Sequence, residues 1–251
     1  MIVVVNAENR RLFPADLVQM HRQRKAVFVD AAGWKIPVFG DMEMDAYDRE
    51  DTIYLLAKNH SNGPVLASVR LLTTTGPHLM SDLFDAEDLE SMPRGPAVWE
   101  VSRFCTGPQI RSRDRRHALL WEMICGVIET ALLYGIDQVI FAASRALLPL
   151  ALHCGWEART LRRSYPDDGS ELTAVAAATT PQSLRGVRER HGVPVPVTRF
   201  QAIVPPPALD LIESQLSFCR VLTRPSPCAW CHLWRETHLS TGLSPGAPRH
   251  D

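Results

Sequence analysis

One segment constrains the fold most. Val98-Trp99-Glu100-Val101-Ser102-Arg103-Phe104-Cys105 follows Pro96 and reads as a strand. Period-2 alternation puts Val98, Glu100, Ser102 and Phe104 on one face and Trp99, Val101, Arg103 and Cys105 on the other. Both faces then mix large apolar groups with a charge. A solvated face would not look like this; a strand lining a cleft would.

The surrounding periodicities supply the rest of a sheet and its helices. Ile2–Val5 is a short apolar strand. Pro14 and Asp16 open a helix to about Asp30, with Leu17, Met20, Val27 and Phe28 at helical spacing. Arg24 falls on that same face. Either its stem packs while its head reaches solvent, or its guanidinium points into a site and needs a carboxylate partner. Residues 31–51 show no period and carry Asp41, Glu43, Asp45, Asp48, Glu50 and Asp51. A loop of this length is usually functional or disordered, and Trp34, Ile36, Val38 and Phe39 argue against disorder. Most of its acids are expected in solvent, with one or two answering Arg24.

Strands at about 52–58 and 65–72 flank the turn His60-Ser61-Asn62-Gly63-Pro64, a hairpin signal. Residues 79–92 read as an irregular loop with short helical pieces. The run Arg111, Arg113, Arg115, Arg116 leads into a helix to about Tyr134, striped with Leu119, Met123, Val127 and Ala131, and Gly135 suits its C-cap. A strand at 137–143, a helix from Ser144 to about His153, a strand at 171–178 and a helix at 181–190 follow. This order suits a mixed sheet of the α+β kind. From Pro194 onward Pro recurs, so residues 1–192 are expected to form one domain and 193–251 an appendage.

Composition excludes several classes. A 45% hydrophobic share supports a sizeable core, and a net charge of -1 disfavours nucleic-acid binding driven by charge. No run approaches about 18 apolar residues, so no membrane span is expected. The opening residues lack a basic region and meet Glu8 early, and the 6 Cys are expected as reduced thiols in the cytoplasm. Cys228-Ala-Trp-Cys231-His232 matches a haem-attachment pattern, and with His238 could hold zinc, but neither an export signal nor an ordered ligand set accompanies it. No metal or cofactor is expected.

Charges at Arg24, Asp45, Asp48, Arg70, Glu100 and Arg103 stand where packing prefers apolar groups, and as a set they suggest a buried polar network around a pocket. Together with Phe28, Trp34 and Phe84, in this order and spacing, they resemble the signature of the acyl-homoserine-lactone synthases, the LuxI-type autoinducer synthases. The likeness spans about residues 1–192 and includes Gly155-Trp156 and Leu184-Arg185-x5-His191-Gly192.

The resemblance implies a fold similar to the GNAT acyltransferases: a mixed sheet between helix layers, opened by a V-shaped cleft. It implies that the α-amine of S-adenosylmethionine attacks an acyl thioester. The carboxylate of the new amide then displaces methylthioadenosine and closes the lactone. S-adenosylmethionine is a substrate here, and the acyl donor is acyl carrier protein or coenzyme A. Glu100 is then the expected base, with Ser102 and Arg103 beside it. Arg24, Phe28, Trp34, Asp45, Asp48 and Arg103 would bind S-adenosylmethionine. Arg70, Phe84, Phe104, Ala142 and Ser144 would border the acyl chain. Arg111, Arg113, Arg115 and Arg116 would meet the phosphopantetheine arm or carrier. The alternative within enzymes is a GNAT-like N-acyltransferase that uses acyl-coenzyme A on another amine.

Overall fold

The computed structural model describes residues 1–165, 171–193 and 195–201. Its centre is an eight-stranded mixed sheet. The chain runs β1 (Ile2–Val5), α1 (Pro14–Arg24), β2 (Val38–Phe39), β3 (Met42–Glu43), β4 (Ile53–Ala57) and β5 (Ala67–Thr73). Next come α2 (Met80–Leu83), α3 (Ala86–Glu90), β6 (Val98–Thr106), α4 (Arg113–Leu133), β7 (Gln138–Ser144) and α5 (Leu148–His153). β8 (Ala158–Ser164), β9 (Leu172–Ala178), α6 (Pro181–His191) and β10 (Thr198–Phe200) complete it. The strand order is β10-β1-β4-β5-β6-β7-β9-β8, with β2 and β3 as a separate hairpin.

Alternation along the strands divides the core into two layers. Ile2, Val4, Leu55, Val69, Leu71 and Trp99 meet Leu119, Met123 and Ile128 of α4 on one face. Val3, Val5, Tyr54 and Leu56 meet Phe13, Leu17 and Met20 from the α1 side on the other. β6 and β7 are parallel neighbours only from Val98↔Gln138 to Glu100↔Ile140. Beyond Glu100, β6 pairs with β5 alone and β7 with β9 alone. The two strands therefore part at Glu100, and the gap between them is the V.

Several details depart from the sequence expectations. The 31–51 segment holds the β2–β3 hairpin, turned at Gly40 with φ 61°. Its two-residue strands are too short to show a period. β8 went unrecognised because edge exposure lets its sequence, Ala-Arg-Thr-Leu-Arg-Arg-Ser, be mostly polar. The expected boundary at Gly192 falls inside the sheet: β10 pairs parallel with β1. It is held by Glu129 of α4, which accepts hydrogen bonds from Arg188, from the Val197 and Thr198 amides and from the Thr198 hydroxyl. A three-residue strand among prolines left no signal of its own. The Cys228, Cys231, His232 and His238 cluster lies outside the described residues.

Candidate active site

β6 does not keep its alternation. Ser68 of β5 faces Cys105, while Arg70 faces Ser102, so β6 carries one extra residue across this step. Arg103 sits at the bulge with φ 53°, the one described non-glycine residue in the left-handed region. The extra residue reverses the faces expected beyond it. Arg103 joins Ser102 on the α1 face, Cys105 follows to contact Gln23 of α1, and Phe104 turns to the α4-side core.

Arg103 thereby closes a ring of ion pairs. Arg24 binds Glu43 and Asp48; Asp48 also meets Arg70; Arg70 binds Asp45; Asp45 binds Arg103; Arg103 returns to Glu43. Three guanidinium groups alternate with three carboxylates, so the ring is neutral. Its distances run from 2.5 Å for Arg70–Asp45 to 3.1 Å for Arg103–Glu43, the Arg24–Glu43 contact aside. Tyr54 adds a hydroxyl donated to Asp48 at 2.8 Å. Burial alone would raise the Asp48 carboxyl, but Arg24 and then Arg70 outweigh it and hold the group far below the usual carboxylate range. Arg24 and Arg70 are 1% and 0% exposed, whereas the Arg103 and Asp45 side chains are 6% and 8% exposed, so the ring comes nearest to solvent at that pair.

Phe28 and Trp34 stand on the Arg103 side of the ring. The helix of α1 continues as a π-helix over Lys25–Ala31 and ends at Gly33, φ 74°. The chain then folds back, with the Trp34 amide donating to the Phe28 carbonyl. The two rings stack at 4.8 Å, and the Arg103 guanidinium lies 5.9 Å from the Phe28 ring centre. Trp34 keeps 47% of its surface exposed.

Glu100 occupies the point where β6 and β7 part. Its side chain is 1% exposed; Oε2 accepts the Met80 amide at 2.8 Å, and Oε1 has no hydrogen-bond partner. Burial raises its pKa to about 7; the Met80 amide, Arg70, the Ser102 hydroxyl and Arg103 limit the rise. A carboxyl there exchanges its proton near neutral pH. On the same face, past Glu100, Phe84, Met80, Met92, Val98, Ile140, Ala174 and Ala176 form an apolar cluster joined by Ala142 and Leu161.

The chain as a whole is similar to known proteins. The family model for autoinducer synthases matches residues 9–184. The chain belongs to the autoinducer synthase family. An acyl-homoserine-lactone synthase of Rhizobium etli is 34% identical over 157 residues, covering 60% of this chain and 72% of that protein. An isovaleryl-homoserine lactone synthase of Bradyrhizobium diazoefficiens is 32% identical, covering 77% and 87%. The solved structure of BjaI, a CoA-dependent acyl-homoserine lactone synthase, with S-adenosylmethionine and isopentyl-CoA, is 29% identical. It covers 86% of this chain and 99% of its own, at a TM-score of 0.71. An N-acetyltransferase fold from Lactobacillus plantarum, at 19% identity and a TM-score of 0.50, shares the architecture alone. This chain is accordingly an acyltransferase, an acyl-homoserine-lactone synthase.

Within this synthase, the residues expected at the site separate into groups. Arg24, Asp45, Asp48, Arg70 and Arg103 come together, with Phe28 and Trp34 beside them and Glu100 and Ser102 along β6. Glu43 was missed as a ring member, because its loop offered six acids and no period to choose among them. Three expectations need correction. Arg24 and Asp48 were expected to touch S-adenosylmethionine, but each side chain is 1% exposed and its donors or acceptors are used within the ring. Arg70 was expected on the acyl chain; its guanidinium is instead bound by Asp45 and Ser102. Phe104 was expected there too, and the bulge turns it to the opposite face. Phe84 and Ala142 do share the apolar cluster, and Ser144 ends β7 on the same side as Ala142. At the start of α4, Ser112 caps the helix and Arg115 binds Glu122 and Asn59. Arg116 donates to the Arg111 carbonyl, and Arg111 and Arg113 are exposed.

Proposed function

We propose that this synthase deprotonates and acylates the α-amine of S-adenosylmethionine at the apex of the V, with Glu100 as the proton acceptor. The observation that carries this reading is the buried Oε1 of Glu100, unpartnered, on a carboxyl whose pKa is raised to about 7. The α-amine is protonated at neutral pH and cannot attack until a base takes its proton, directly or through one water. A carboxyl that titrates near 7 can accept that proton and release it again.

Arg103, on the side of the ring nearest Phe28, suits the substrate carboxylate, and Asp45 the cationic amine side. Phe28 and Trp34 suit the sulfonium and adenine through their faces. Arg24, Asp48, Glu43 and Arg70 act from behind, by holding Arg103 and Asp45 in place. The tetrahedral oxyanion needs donors, and β6 beyond Glu100 has no β7 partner, which leaves backbone on that side for the role. Loss of the carrier thiol leaves an amide. The substrate's own carboxylate then displaces methylthioadenosine and closes the lactone.

The apolar cluster around Phe84 and Ala142 suits the acyl chain, and Ser144 its rim. Ala142-Ala143-Ser144 has no Thr, which favours a chain without a 3-oxo group. Arg111 and Arg113 suit the phosphate end of the donor. The donor is read as acyl-coenzyme A, with acyl carrier protein the second reading. The likeness to BjaI, a CoA-dependent synthase, favours the first. The cytoplasm supplies both substrates.

The deciding test mixes purified protein with S-adenosylmethionine and a panel of acyl thioesters on both carriers, read by mass spectrometry. Methylthioadenosine together with an acyl-homoserine lactone, from coenzyme A thioesters in preference, is the expected result. No methylthioadenosine, with thiol released only once other amines are offered, would point to an N-acyltransferase acting on one of them.

A further inference from the structure

Glu100 Oε2 accepts a close backbone hydrogen bond from the Met80 amide, which belongs to a very short helix. α2 has only four residues, so its own hydrogen bonding cannot fix it. Something outside it must hold the Met80 amide on Glu100. Besides the packing of Met80 and Leu83 in the apolar cluster, two side-chain hydrogen bonds reach α2 from elsewhere among the described residues. Ser164 of β8 donates its hydroxyl to the Leu83 carbonyl at 2.6 Å. Tyr47 donates its hydroxyl to Asp82 Oδ2, also at 2.6 Å.

Tyr47 is itself built into the ion-pair ring. Its amide donates to Asp45 at 2.9 Å, and the Arg70 guanidinium lies 5.8 Å from its ring centre. Its carbonyl accepts the Thr52 hydroxyl at 2.7 Å. The ring of Tyr47 is buried, whereas Asp82 stands exposed on the outer side of α2. A continuous path therefore runs from Asp45 through Tyr47 and Asp82 to α2, and from the Met80 amide to Glu100. Burial, then Asp82, then the negative charge of Glu100 keep the Tyr47 phenol protonated, so it remains a donor across the working pH range.

We infer that Tyr47 and Asp82 are positioning residues for Glu100: their hydrogen bond holds α2 so that the Met80 amide engages Oε2 and leaves Oε1 open to the substrate's proton. This rests on the reading of Glu100 as proton acceptor. The charged and titratable groups around Glu100 are Arg70 from β5, Arg103 from its own strand, Tyr47 from the segment before β4, and Asp82 on α2. His78, before α2, is tied to the Gly76 carbonyl and approached by Ser81. The neighbour on β7, Ile140, is apolar.

The amide bond favours the charged carboxylate, so loosening it must raise the carboxyl's pKa further. The experiment is the pH dependence of kcat in the full chain, with saturating substrates, for wild type, Tyr47→Phe, Asp82→Ala, Asp82→Asn and Glu100→Gln. Tyr47→Phe keeps the ring and loses only the hydroxyl. Asp82→Ala lies at the surface, where folding is tolerant. Both should move the acidic limb to higher pH by about half to one unit, the scale of one ordinary hydrogen bond. KM for S-adenosylmethionine should change less than two-fold. Asp82→Asn removes the charge but keeps an acceptor, and should restore the wild-type limb. The double variant Tyr47→Phe with Asp82→Ala should move the limb no further than either single change.

Unmoved limbs in Tyr47→Phe and Asp82→Ala, beside an inactive Glu100→Gln, would overturn this inference and leave Glu100 as the base. Asp82→Asn and Asp82→Ala limbs that move together to lower pH would overturn it in favour of plain charge, because loss of a nearby anion favours the carboxylate. Additive shifts in the double variant would do the same in favour of two independent effects. Wild-type turnover in Glu100→Gln would remove the base itself, and the positioning role with it.

Discussion

The two arms of the V are lined by opposite chemistry. On the β4–β5–β6 arm, with β3 and α1, three arginines and three carboxylates are closed into a ring. On the β7–β9 arm the same face carries Ile140, Ala142, Ala174 and Ala176, which join an apolar cluster with Met80, Phe84 and Met92. The first arm is rigid for an electrostatic reason. Each buried charge has its partners, and moving one strands another in low dielectric. The second arm is shaped by small side chains, which leave room without specifying what fills it. A substrate with fixed charges suits the first surface, and a chain of varying length suits the second.

That contrast can be broken first at the apex, where the arms meet. Glu100→Gln keeps size and an acceptor for the Met80 amide but cannot take a proton. It should lower kcat by about 100-fold or more, measured as methylthioadenosine release, with the fold intact by circular dichroism. A loss under tenfold would detach Glu100 from the chemistry.

Next in size is the rigidity of the charged arm. Arg24→Ala leaves Glu43 and Asp48 buried without one of their cations, and should destabilise the protein by about 3–5 kcal/mol in urea unfolding. A loss below about 1 kcal/mol would mean that the ring relaxes, and that this arm is no stiffer than its counterpart.

The pH dependence of stability separates the apex from the ring. The Glu100 pKa is raised in the fold, so between its ordinary value near 4.5 and about 7 the native state binds the extra proton. This group therefore costs stability as pH rises through that window. Glu100→Gln should be more stable than wild type at pH 8, by about 1–3 kcal/mol, and equal to it near pH 4. Asp48 runs the other way. Its depressed pKa contributes stability at neutral pH that is lost as the solution falls below the ordinary carboxylate range. Melting curves from pH 3 to 8 check both signs.

The smallest effect sharpens the apolar arm. Ala142→Leu adds bulk to the cluster around Phe84 and should shift the product spectrum toward shorter acyl chains. The expected change is about tenfold against the longest chain accepted, equivalent to roughly 1–2 kcal/mol. KM for S-adenosylmethionine should hold steady, because that substrate belongs to the other arm. A change in KM with an unaltered spectrum would reverse the assignment of the two surfaces.

The same contrast explains what the sequence could disclose. Charges on apolar faces are conspicuous, so Arg24, Arg70, Glu100 and Arg103 were legible one by one, and their order resembled one family. The long stripe of α4 and the alternation of β1 and β4 were legible because burial there is one-sided. Glu43 was not, since nothing local separates it from its acidic neighbours; only the return of Arg103 selects it. Arg103 itself was placed on the wrong face, because a bulge is a property of two paired strands and one strand's alternation cannot reveal it. β8 and β10 were hidden for a related reason: each takes its order from a neighbour and lacks a pattern of its own. Tyr47 and Asp82 lie 35 residues apart, and neither carries a local signal.

The contact of β10 with β1 covers a sheet edge. β1 is buried and wholly apolar, Ile-Val-Val-Val, and β10 covers its outer backbone. Stripped of those few residues, β1 would present a bare row of amides and carbonyls along a greasy strand, a template for cross-chain pairing. Glu129 would keep its charge with most of its donors gone. Thr198–Phe200 thus shield the edge of β1, and their removal should raise the tendency to pair across chains, read as light scattering during refolding.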